Sequence, residues 1–76
     1  MTASAEQLTA WALNTLHIAH LNLLIEREIA KGKLTRATEL SIRANRRART
    51  MFNEMIAAGA SKPEGYEKRE QSPDLE

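Results

Sequence analysis

Between Ala5 and Ala30 apolar residues recur so densely that, wound as a helix, they line nearly its whole circumference. At about 100° per residue, Leu8, Trp11, Ala12, Leu16, Ile18, Ala19, Leu23, Ile25 and Ile29 fill roughly half of it. A second strip, Leu13, His17, Leu21 and Leu24, falls on the opposite side at spacings of four, four and three. One partner helix cannot cover both. A helix that is apolar almost all round is ordinarily buried on several sides, so this segment is expected at the centre of a larger assembly.

The following segment has a different pattern. Leu34, Ala37, Ser41, Ala44, Ala48, Met51, Met55 and Ala58 alternate spacings of three and four, the repeat of a coiled-coil seam. Its middle is built from Ala and Ser, small enough to admit another helix closely. Leu40, Phe52 and Ile56 widen the apolar surface beside it.

Punctuation supports two helices. Ser4 followed by Gln7 has the form of a capping box, so a first helix is expected over about 5–31. "KGK" at 31–33 supplies a glycine to end it and a lysine beside the negative end of its dipole. Thr35 is a candidate cap for a second helix over about 35–58, which Gly59 and Pro63 would stop. Each helix would be about 37 Å long, and a loop of three or four residues joins them only as an antiparallel hairpin. The fold class is therefore all-α: a hairpin over 1–59, expected to dimerise into a four-helix bundle, with a polar tail over 60–76. Two prolines and many charges make that tail an expected flexible segment.

Size adds to the case for association. Seventy-six residues without a cysteine have no disulfide or thiolate metal site to reinforce a thin core. A homodimer is the expected remedy, with two-fold pairing the commonest arrangement. Absence of cysteine, of a long apolar run and of a signal-like start suits a cytoplasmic protein with no membrane partner.

Charge is divided unevenly. The net charge is only +1, yet residues 31–58 hold seven Lys or Arg against two Glu. Within "SIRANRRARTMF" lie Arg43, Arg46, Arg47 and Arg49, with Arg36 a turn or two earlier. Arginines bind phosphate bidentately, and a basic helix supplies the salt-dependent part of nucleic-acid affinity. These five residues are the candidate nucleic-acid contact. Their spread over a wide arc, the chance of pairing with Glu39 or Glu54, and the lack of an aromatic stacking platform favour a solvated or paired face.

Other chemistry is sparse. His17 and His20 could share a metal, but two imidazoles are an incomplete site with no third ligand one turn away. No nucleophile stands near a histidine, no glycine-rich phosphate loop is present, and the chain is short for a concave site. No enzyme activity, metal or cofactor is expected. The candidate protein-interaction residues are Trp11, Leu13, His17, His20, Leu21 and Leu24, with Asn22 a polar position that could set helix register.

The hairpin with its small-residue seam, residues 5–58, resembles the plasmid-encoded repressor-of-primer family, whose hairpins pair into an RNA-binding four-helix bundle. None of that family's RNA-binding residues is matched here. The apolar "LHIAHLNLLI" in a chain of this size also resembles the small helical-hairpin proteins that bacteriophages use to inhibit host regulators, including quorum-sensing anti-activators. That resemblance implies a regulator that binds a bacterial or phage-host protein. The mechanism expected is steric occlusion by helix-one side chains left over after dimerisation.

Overall fold

In a computed structural model, residues 3–62 are described: helix α1, Ala5–Ala30, and helix α2, Leu34–Ala57. The two pack against each other as an antiparallel hairpin, and no strand occurs among the described residues. The expected tail lies, from Pro63 onward, outside the described residues.

Local bonds account for the helix ends. Ser4 Oγ accepts from the Gln7 backbone amide at 3.1 Å, and Gln7 Oε1 accepts from the Ser4 amide at 3.0 Å, closing the capping box. α1 ends in a Schellman turn: Lys33 N–H donates to Glu28 C=O, and Gly32 N–H to Ile29 C=O, both at 2.9 Å. Gly32 takes the left-handed φ of 77° that this turn requires. α2 ends in the same way, Ala60 N–H donating to Met55 C=O and Gly59 N–H to Ile56 C=O, with Gly59 at φ 116°.

The start of α2 differs from expectation. Lys33, not Thr35, is the N-cap residue, and no side chain caps the helix. The Schellman turn delivers the chain to the new axis by Lys33, so Thr35 is already inside the first turn. Both helices end one residue earlier than the sequence pattern suggested, and the second begins one earlier.

The faces in contact are two heptad lines. From α1 they are Trp11, Asn14, Ile18, Leu21 and Ile25; from α2, Ala37, Leu40, Ala44, Arg47 and Met51. Leu21 and Leu40, each 3% exposed, form the centre with Ala44, flanked by Ile18, Leu24 and Ile25. The alanines of α2 leave room for the branched side chains of α1. None of the buried apolar residues is fully enclosed. Two helices offer one contact strip, so the core is only one layer thick.

This facing corrects both expected stripes. Leu21 was placed opposite Trp11, Ile18 and Ile25, yet it shares their contact line, because it stands only about 40–60° from the two isoleucines around the helix. Leu8, Ala12, Leu16, Ala19 and Leu23, assigned to the same side as Trp11, are exposed instead. On α2 the seam is rotated toward Leu40 and Arg47, leaving Leu34 63% exposed.

Candidate protein-interaction surface

Polar bonds across the hairpin set which side of α1 is left uncovered. Asn14 Nδ2 donates to the Arg47 carbonyl at 3.3 Å, and the Arg47 guanidinium donates back to Asn14 Oδ1 at 3.0 Å. One turn away, Trp11 Nε1 donates to Glu54 Oε1 at 2.8 Å. Met51 sulfur lies between them, accepting from Asn14 Nδ2 at 3.7 Å and from the Thr15 hydroxyl at 3.6 Å. These contacts join residues 33 to 43 apart in sequence and hold α1 at one rotation about its axis.

With that rotation, the outer half of α1 carries Leu8, Leu13, Leu16 and Leu23, all between 57% and 66% exposed. They span about 140° of the circumference, more than the roughly 100° stripe that one packed helix covers. Full burial of a leucine is worth about 1.5–3 kcal/mol, and somewhat over half of that remains unrealised at each position. Together the four hold about 4–7 kcal/mol, the lower end of a whole domain's stability. No charged residue interrupts the outer strip from Leu8 to Leu23.

The sequence-derived interaction residues divide. Trp11 and Leu21 are buried against α2 and Leu24 is half-buried beside them, so these three serve the hairpin itself. Leu13, His17 and His20 are exposed on α1. Asn22 is exposed as well, and the polar residue that spans the two helices is Asn14. Its place on the line 11–14–18–21–25 was the available signal, masked by the apolar residues on every side.

The arginines also separate. Arg47 is half-buried and committed to Asn14, with a buried Nε that has no hydrogen-bond partner. Arg36 pairs with Glu39 at 3.3 Å, both side chains more than half exposed. Glu54, suggested as an arginine partner, instead accepts from Trp11. Arg49 is half-buried and engaged in an interaction of its own. Arg43 and Arg46 are exposed on α2. The contact proposed for nucleic acid therefore does not present five arginines as one open strip.

A shallow open cleft of about 380 Å³ lies where Arg46 and Thr50 of α2 face the Trp11–Glu54 and Asn14–Arg47 pairs. Trp11, Glu54 and Asn14 bond across the hairpin there, so their hydrogen-bonding groups serve the fold first. Among the described residues no group of three His, Asp or Glu side chains is arranged to hold a metal. Nor is any described helix long and apolar enough to cross a membrane. No family model matches the chain, and neither a curated protein nor a solved structure matches it.

Proposed function

We propose that this chain is a non-enzymatic interaction protein that acts as a homodimer and binds another protein through the outer half of α1. The supporting observation is the array Leu8, Leu13, Leu16 and Leu23, exposed on the side of α1 away from α2. An apolar surface rimmed by polar residues is the ordinary mark of a protein contact. Its arc exceeds what one helix covers, which leaves room for a second copy and a target side by side.

The target class is a bacterial or phage-host regulator, in keeping with the hairpin inhibitors that the chain resembles. The mechanism is steric: α1 occupies a surface the target needs, with Leu13 as anchor and His17 and His20 beside it. The decisive experiment compares wild type with Leu13→Asp as bait in host extract, followed by binding of each candidate as a purified protein. A target held at micromolar concentration by wild type and lost by the variant supports the proposal. Equal retention by the variant removes it. A nucleic-acid role, the second reading, rests on the exposed Arg43 and Arg46.

A further inference from the structure

Along the side of α1 turned about 150° from α2, six exposed residues set two leucines among four alanines: Ala5, Ala12, Leu16, Ala19, Leu23 and Ala30. Their numbering carries a symmetry. Summed from the two ends, 5 with 30, 12 with 23 and 16 with 19 all give 35, and α1 itself runs from 5 to 30. A copy of α1 laid antiparallel over its full length therefore sets Leu16 against the partner's Ala19. It also sets Leu23 against the partner's Ala12.

From this we infer that the strip is a self-complementary contact, and that a second copy of the chain packs on it with the two-fold axis level with His17 and Ile18. The inference rests on the proposal that the outer half of α1 is a protein contact, and it names the occupant of one part of it. Each leucine enters the gap over an alanine, the way ridges fill grooves between close-packed helices. Moving the register four residues one way places Leu16 on the partner's Leu23, and moving it four the other way places Ala12 on the partner's Ala19, so neither shift keeps large over small. Moving it seven leaves two turns of each helix overhanging, so the full overlap covers the most apolar surface.

Charge agrees with the antiparallel direction. The first turn of α1 carries Glu6, and its last turn carries Arg27, followed by Lys31 at the C-cap. Antiparallel pairing opposes the two helix dipoles and brings Glu6 of each α1 to the end of the other that carries Arg27; Glu26 and Glu28 balance Arg27 and Lys31 there, and Lys31 pairs with Glu28 at 3.4 Å, so the dipoles carry the preference. Parallel pairing sets like ends together. Within the strip Glu26 and Arg27 flank its C-terminal part, opposite the partner's Thr9 and Leu8, so no like charges meet.

Four helices then form a shallow layer, α2–α1–α1–α2, with the two α1 helices at its middle. A square bundle needs neighbours about 90° apart around α1, whereas its two contact lines are about 150° apart. The strip of Leu13, His17 and His20 stays open on one side of that layer.

Sedimentation equilibrium on the full chain at micromolar concentration tests the pairing. The expected result is a dimer that Leu16→Asp weakens at least about tenfold while helix content by circular dichroism holds, since Leu16 is exposed and outside the hairpin core. Ala19→Leu alone should weaken the dimer by a similar factor, and combining it with Leu16→Ala should restore it by exchanging large for small. The chain has no cysteine, so spin labels at His20→Cys and, separately, Lys31→Cys measure direction. The paired His20 sites should lie about 8 Å apart along the axis and the paired Lys31 sites about 40 Å apart. A chain monomeric throughout, a dimer indifferent to these substitutions, or Lys31 labels close together overturns the inference. A monomer that still loses its target with Leu13→Asp would remove the homodimer from the proposed function and leave its protein-binding part standing. A dimer of this register with no target would do the reverse.

Discussion

Asn14 and Arg47 hold each other twice across the hairpin, the amide nitrogen donating to the arginine carbonyl and the guanidinium donating to the amide oxygen. Neither is apolar, yet both sit in the contact lines between α1 and α2. A slip of one heptad would set Arg47 against Leu21 or Gln7 in place of Asn14. The pair thus does for the hairpin what a buried asparagine does in a coiled coil: it makes one register better than its neighbours.

Removing one partner should cost more than removing both. Asn14→Leu leaves a half-buried guanidinium whose Nε already has no partner, an expected loss of about 1–3 kcal/mol. Arg47→Met leaves the asparagine oxygen without its donor and costs about 1 kcal/mol. Combining Asn14→Leu with Arg47→Met replaces the pair by packed apolar groups. Urea unfolding followed by circular dichroism should show a double variant clearly more stable than the sum of the singles. Additive losses would show that the two bonds contribute nothing jointly.

Trp11 to Glu54 is the second cross-hairpin bond, at 2.8 Å. Trp11→Phe keeps most of the buried ring and loses the donor, for an expected loss of about 1 kcal/mol. Glu54→Gln keeps an acceptor oxygen and should lose less, whereas Glu54→Leu should match Trp11→Phe. Trp11 is the chain's single tryptophan, so its own fluorescence follows the unfolding of every Glu54 variant, and a Glu54→Gln loss exceeding that of Glu54→Leu would rule this bond out as the cause.

Leu40 and Leu16 should respond very unequally to the same change. Leu40 is 3% exposed in the core, and Leu40→Ala opens a cavity expected to cost about 2–5 kcal/mol. Leu16 is 66% exposed, and Leu16→Ala should stay within about 0.5 kcal/mol when measured below the concentration at which chains associate. Thermal or urea denaturation of the two variants side by side decides it. Comparable losses would mean that α1 is rotated differently about its axis.

Exposed Arg43 and Arg46 set the expectation for nucleic acid. Mixed RNA or DNA should bind weakly or not at all at low salt, because Arg36 has an acidic partner and Arg47 is tied to Asn14. Fluorescence anisotropy across a salt series measures this. Tight binding that falls steeply with salt and disappears in Arg43→Gln/Arg46→Gln would instead establish the nucleic-acid role.

The helices and their ends were legible because their causes are local. Ser4 with Gln7, Gly32 after Lys31, and Gly59 after Ala58 act within five residues of the backbone groups they satisfy. A sequence pattern can express such causes directly. Thr35 was the exception: whether a threonine caps depends on where the preceding turn releases the chain, and the Schellman turn at Gly32 released it at Lys33.

Rotation about the α1 axis was a different kind of question. With leucines, isoleucines and alanines on nearly every side, several facings bury similar area, and periodicity cannot choose among them. Ala37 and Ala44 offered the gaps on either side of Leu40, and Asn14–Arg47 and Trp11–Glu54 close in the facing observed. The sequence by itself determined that there are two helices and that α1 is apolar on nearly every side. Only tertiary packing decided which leucines face inward, because that choice depends on pairs brought together from 33 to 43 residues apart.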